Sequence, residues 1–195
     1  LTEAWFQLLQ QHGGPRYTVK AVTGGLRAIH LDGAPFMTPV PPMFDYGLRL
    51  KTMDECGVDV CVVSLTCPNC FWGGPDVSLQ AARIMNDDMA AAQTAHPDRL
   101  RWFASLPWQY AELALAELGI RPENVLAFTG SAAGLRAANS AGLATVVVTG
   151  DPAATRDIPA AAAVCADYDG AEPLLVANCR RLHGRWWAAH KRSAA

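Results

Sequence analysis

At 195 residues, 51% hydrophobic and 17% charged, the chain carries ample apolar material for a core and too much for a disordered segment. A formal net charge of -2 and a pI near 6.2 argue against nucleic acid and acidic membrane surfaces as partners. No apolar run approaches the roughly 20 residues that span a bilayer, and Leu1-Thr2-Glu3-Ala4-Trp5 lacks the basic-then-apolar pattern of a secretory signal. The six cysteines, Cys56, Cys61, Cys67, Cys70, Cys165 and Cys179, are not spaced as a disulfide framework and read as thiols of a reducing cytosol. A cytoplasmic protein is expected.

In chain order, residues 2–12 read as a helix with Trp5, Leu8 and Leu9 on one side and Gly13-Gly14 as its stop. Residues 17–22 and 26–31 read as a strand pair, followed by an irregular loop containing Asp32-Gly33, Pro35, Pro39, Pro41 and Pro42. Residues 44–56 fit a helix that ends at Gly57. The valine-rich run 58–65 reads as a strand buried on both faces, as in a parallel sheet. Asp76 or Ser78 is a candidate cap for a helix reaching Ala95, stopped by His96-Pro97. Residues 100–106 follow as a strand and 110–118 as a helix behind Pro107. The second half repeats the pattern, with a strand at 125–128, a turn at 130–134 and a helix at 135–141. Strands at 145–148 and 162–166 come next, then a closing helix at 173–182 and a basic tail at 186–195 without a core face.

This alternation implies an α/β fold, three-layered, with a mostly parallel sheet of roughly four to six strands. Exposed edges of so small a sheet favour self-association, so a homo-oligomer is expected.

Three runs, "MDECGVDVCVVSL", "ARIMNDDMAAAQTAHPDRLRWFASLPWQ" and "ELALAEL", resemble the amidohydrolase-related family that includes aminocarboxymuconate-semialdehyde decarboxylase and related aromatic-acid decarboxylases. The resemblance covers most of residues 1–118. It implies a partial (β/α) barrel and a divalent metal, usually zinc, that activates water or polarises a small carboxylic acid substrate. The family's ligands are a His-x-His pair, further histidines and a late Asp. This chain has no His-x-His, and His12, His30, His96, His183 and His190 lie at helix ends, in loops and in the tail. No metal or cofactor is therefore expected on this chain, and no catalytic residue is assigned. Turnover of a small-molecule substrate is expected only if absent segments are supplied.

The run "LGIRPENVLAFTGSAAGLRAANSAGLATVVVTG" resembles the C-terminal part of haloacid-dehalogenase-type hydrolases, a partial Rossmann-like segment covering residues 118–170. That resemblance implies magnesium and phosphatase chemistry. The family's acidic pair falls on Thr129 and Gly130, neither of which supplies the anionic oxygen that Mg²⁺ prefers. The nucleophilic Asp-x-Asp strand is also missing, so phosphoryl transfer lacks its acceptor. The two resemblances meet near Leu118, giving fragments 1–118 and 119–195, or one merged domain. A chimera-like chain with no chemistry of its own is the result, whether a non-catalytic α/β module or an engineered segment fusion.

Candidate substrate contacts are Asn69 and Trp72, in a loop at the mouth of the barrel segment, and Thr129, Gly130 and Ser131 at a strand end. Cys67-Pro68-Asn69-Cys70 invites a redox or zinc reading. It does not open directly into a helix and has no second C-x-x-C, so a loop pair without chemistry is favoured. Asn86-Asp87-Asp88 reads as helix surface or an N–H contact, and Thr149-Gly150-Asp151 as a weak strand-end signal.

Overall fold

Thr2, in extended backbone, accepts a hydrogen bond from the Trp5 amide on its hydroxyl and so starts α1 (Glu3–His12). The computed structural model describes residues 1–151, 161–170 and 173–190. Contacts divide the chain into two units, Leu1–Pro107 and Trp108–Ala195. The point near Leu118 where the two resemblances meet therefore lies inside the second unit.

In the first unit, β1 (Tyr17–Ala21), β2 (Arg27–Leu31) and β3 (Ala34–Met37) form an antiparallel sheet in that order. The third strand replaces part of the expected irregular loop. Its cause is Asp32-Gly33, with φ of +49° and +86°, which joins Leu31 to its partner Ala34 in a two-residue hairpin. Arg27 ties this sheet to α1 with a forked pair of bonds to Glu3 at 2.8 and 2.6 Å, its guanidinium 4.3 Å from the Phe6 ring centre. The forked bond holds the Glu3 carboxyl below its usual range.

Next come α2 (Tyr46–Glu55), capped by the Asp45 carboxylate, β4 (Cys61–Val63), α3 (Pro75–Ala95) and β5 (Leu100–Trp102). β4 and β5 pair in parallel, Cys61 with Leu100 and Val63 with Trp102. Neither Asp76 nor Ser78 caps α3. Gly74 holds that position with Pro75 behind it, and the Ser78 hydroxyl donates to the Trp72 carbonyl at 2.9 Å. The core joins Trp5, Phe6 and Leu9 of α1, Ile29 of β2, Val63 of β4 and Met85 of α3.

The valine run is a three-residue strand rather than eight, and it is not buried on both faces. Val63 is buried, while Val60 and Val62 are 49% and 51% exposed and Phe103, beyond β5, is 69% exposed. One sheet face packs on helices and the other is bare, because side chains alternate between the two faces along a strand with period two.

In the second unit, α4 (Ala111–Leu118) ends at Gly119, which takes a left-handed conformation. β6 (Leu126–Thr129), β7 (Ala144–Val148) and β8 (Ala163–Cys165) form a parallel sheet in that order, with α5 (Ala132–Ser140) between the first two. β7, central and rich in valine, is buried from Ala144 to Val147. The closing helix α6 (Val176–His190) begins later than expected and runs through the Trp186-Trp187 pair, so much of the expected tail is helical. In place of one parallel sheet, the described residues form three separate sheets, of three, two and three strands. No helix among them is long and apolar enough to cross a membrane.

Candidate functional site

In parallel sheets, ligand sites form beyond the carboxyl ends of strands. For β4 and β5 those ends are Ser64 to Thr66 and Phe103 to Ser105. The Phe103 amide donates to the Val63 carbonyl at 3.0 Å, extending the pairing by one bond. Asn86 of α3 fixes the far end of β5, donating to the Ser105 carbonyl and accepting from its amide, both at 2.9 Å. The Asn86-Asp87-Asp88 run thus supplies the expected N–H contact, plus one not foreseen: the Tyr46 hydroxyl donates to Asp88 at 2.9 Å. Burial and then that bond push the Tyr46 phenol up from its usual range.

Tyr46, Arg49, Ser64, Thr66, Met85 and Met89 line a cavity of about 40 Å³ at this strand end. A water needs roughly 10–15 Å³ measured in this way, so the cavity admits a few waters and no aromatic acid. Arg49 Nε is buried with no hydrogen-bond partner among the described residues. Helix periodicity assigns the stretch holding Tyr46 and Arg49 to α2 and does not show which of its residues faces a strand end.

The expected substrate contacts in the adjoining loop are engaged internally. Asn69, at φ +57°, donates from its side-chain amide to the Leu65 carbonyl at 2.8 Å and accepts from the Cys70 amide at 2.8 Å. Its backbone carbonyl accepts from two indoles, Trp72 at 2.9 Å and Trp5 at 3.2 Å. Trp72 is buried, edge-on to Trp5 at 5.9 Å. The loop is tied together from within by these bonds. Asn69→Ala loses both side-chain bonds at a positive φ and is expected to cost about 2–3 kcal/mol. Asn69→Gly keeps the backbone conformation and is expected to cost less. Urea unfolding of the two variants checks the order, and equal midpoints for Asn69→Ala and the parent would contradict it.

Neither loop cysteine is in a disulfide, and Cys67 is exposed while Cys70 is buried. Burial pushes the Cys70 thiol up to about 11 from an ordinary 9.0, the opposite of the low-pKa thiolate that redox chemistry needs. With the folded pKa raised, the associated stability is complete below pH 9, the thiol's ordinary value, and is lost as pH rises through about 11. A loss on the order of 2 kcal/mol is expected across that window. Urea midpoints measured against pH should show it, reduced in Cys70→Ala. Native-state alkylation should label Cys67 and spare Cys70.

Thr129, Gly130 and Ser131 come together in the turn between β6 and α5. Thr129 Oγ1 accepts from the Ser131 amide at 3.2 Å, and Ser131 Oγ caps α5 by accepting from the Gly134 amide at 3.1 Å. A Cβ on Gly134 would stand 2.1 Å from Thr129 Oγ1, so this glycine permits the close strand–helix approach. Thr149 Oγ1 makes the same turn after β7, accepting from the Asp151 amide at 3.2 Å. Thr129 also borders a cavity of about 340 Å³ beside β6, walled by apolar Trp108, Phe128, Ala138 and Leu143.

Metal ligation does not fit either strand end. Among the described residues no three His, Cys, Asp or Glu side chains stand together as a metal site. His30 Nδ1 lies 3.3 Å from the Gly33 carbonyl oxygen, and His96 occupies the C-cap of α3.

Known proteins share part of this chain. Gamma-resorcylate decarboxylase of Rhizobium radiobacter is 38% identical over 85 residues, 43% of this chain and 25% of that enzyme. The 2-amino-3-carboxymuconate-6-semialdehyde decarboxylase of Caenorhabditis elegans is 31% identical over 91 residues, 46% of this chain and 23% of that enzyme. Part of this chain is similar to amidohydrolase-type decarboxylases. The matched part spans about a quarter of these relatives' length. No family model matches the chain. Among solved structures, apo IDCase of Metarhizium anisopliae superposes with a TM-score of 0.53 at 17% identity, over 76% of this chain and 48% of that one. This likeness concerns the fold, and it extends over more of the chain than the decarboxylase-like sequence does.

Proposed function

We propose that this chain carries a segment of a metal-dependent decarboxylase or amidohydrolase acting on small carboxylic acids, aromatic ones in particular, and that it does not turn over substrate by itself. The observation that carries this reading is the 38% identity to gamma-resorcylate decarboxylase over 85 residues. In this reading β4 and β5 are neighbouring strands of a partial barrel, and the bare face at Val60, Val62 and Phe103 is one that a complete barrel buries. The loop 66–74, with Asn69 and Trp72, forms part of the mouth as structural support. The second unit contributes a partial Rossmann-like strand–turn–helix in which Thr129 borders an apolar cavity and, with Gly130 and Ser131, holds no magnesium.

Zinc, the metal implied by the resemblance, would polarise a substrate oxygen or activate water when bound, and the described residues do not assemble its ligands. The test is the purified chain incubated with zinc and gamma-resorcylate. Metal well below one equivalent and no CO₂ release are expected. Stoichiometric zinc with turnover would sink the claim of inactivity. Hydrolysis of p-nitrophenyl phosphate with Mg²⁺, abolished by chelator, would turn the reading toward a phosphatase.

A further inference from the structure

The net charge of -2 averages over a strong asymmetry. Five of the 16 basic residues, Arg180, Arg181, Arg185, Lys191 and Arg192, and none of the 18 acidic ones lie in residues 173–195. That segment therefore carries +5, and residues 1–172 carry -7. A cationic C-terminal segment on an otherwise acidic chain is a feature that the total conceals.

The structure sorts this segment by face. Along α6, Leu182 is buried, and Cys179, His183, Trp186, Trp187 and His190 are half-buried, one helical stripe turned inward. The opposite stripe is exposed and consists of Arg180, Arg181 and Arg185 separated by Ala177, Gly184, Ala188 and Ala189. The residues between the arginines on this stripe are small, so no bulky side chain separates them. Among the described residues, neither Arg180 nor Arg185 has a carboxylate partner. The exposed Leu175 and Val176 are confined to the start of the helix, and the two tryptophans lie on the inward stripe.

We propose that the outward face of α6 docks the phosphate backbone of a nucleic acid, single strands included. Guanidinium groups bind phosphate oxygens through paired N–H donors, and residues one turn apart on a helix stand about 5–6 Å apart, close enough to engage successive phosphates. A membrane surface would require bulky apolar side chains on the same stripe to enter the lipid, and this stripe has alanine and glycine there. The remainder, at -7, gives a polyanion no net attraction. Binding is therefore independent of base sequence and strongly salt-dependent. It rests on charge and exposure, separately from the decarboxylase reading.

The experiment is fluorescence anisotropy of a labelled thymidine oligonucleotide, about 20 nucleotides long, titrated with the full chain at low salt. Expected is a Kd of roughly 10⁻⁶–10⁻⁴ M, weakening with a log–log salt slope of about -2 to -3, as three or four neutralised phosphates give on a single strand. The variant R180Q/R181Q/R185Q is expected to bind at least about tenfold more weakly with an unchanged circular dichroism spectrum, the loss that removing phosphate contacts produces. If that variant unfolds, R180Q/R185Q alone should flatten the salt slope. Arg136→Gln, removing an exposed charge from α5, should bind as the parent does. No binding at low salt, or full binding by the triple variant, overturns the proposal. So does tighter association with phosphatidylserine vesicles than with the oligonucleotide. Arginine-dependent, salt-sensitive self-association in light scattering, without oligonucleotide binding, overturns it in favour of a second copy of the chain.

Discussion

Trp5→Ala is expected to destabilise the first unit by about 3–5 kcal/mol, the range for emptying a buried tryptophan site. Trp5 is fully buried, packs edge-on against Trp72 at 5.9 Å and lies 6.3 Å from the Phe6 ring centre. Its indole also donates to the Asn69 carbonyl at 3.2 Å. Alanine opens a cavity between α1 and the 66–74 loop and leaves that carbonyl with Trp72 as its remaining indole donor. Trp5→Phe keeps much of the ring area and should cost about 1–2 kcal/mol, mostly the lost hydrogen bond and some packing. Domains have only about 5–15 kcal/mol of stability in total, so the alanine variant should show a large drop in urea midpoint. Near-ultraviolet circular dichroism from the Trp5–Trp72 pair should fall with it. A loss under about 1 kcal/mol would mean that this aromatic cluster does not organise the unit.

Val146→Asp should abolish folding of the second unit. Val146 is fully buried in the central strand β7, paired with Phe128 of β6 and Ala163 of β8. A carboxylate placed there has no solvent, and an uncompensated buried charge costs more than a marginal domain can absorb. Val146→Ala keeps the site apolar and should cost about 2 kcal/mol through lost contacts alone. Hydrogen exchange reads the difference. In the aspartate variant, amides of 126–129 and 144–148 should lose protection, whereas in the alanine variant they should keep it at reduced stability. Cooperative unfolding of the aspartate variant near the parent's midpoint would contradict the placement of β7.

Several local features could be read directly from the sequence because they depend on neighbours along the chain. Gly57 and Gly142 follow helices that periodicity had already outlined, both at positive φ, and the branched run 145–148 marked β7 before its partners were known. The Asp32-Gly33 pair was equally informative, yet the surrounding prolines masked it and β3 was missed. Pro35 is tolerated in β3 because that strand is a sheet edge, where it needs no amide for a second ladder. α6 was cut short for a related reason. Its inward stripe is made of Cys179, His183, Trp186 and His190, polar and aromatic residues that do not register as an apolar face.

The candidate site was less legible. Asn69 and Trp72 were located correctly in the loop after β4, but their side chains are taken up by hydrogen bonds and core contacts within it. Sequence position places a residue at a strand end without stating which atoms remain free there. Cys67 and Cys70 show the same limit: identical residues three apart, one exposed and one buried with its thiol pushed up to about 11.

By itself the sequence determined the α/β alternation, most of the helix stops, the likeness of part of the chain to amidohydrolase-type decarboxylases, and the lack of a His-x-His pair. All of these are properties of residue type and short spacing. Only the tertiary structure decided which face of the valine-rich strand is covered, that Arg49 and the Tyr46–Asp88 pair stand near its carboxyl end, and that three arginines share the outward face of α6. Each of those depends on which residues distant in the chain are packed together, and burial, unlike local periodicity, is set by the partner.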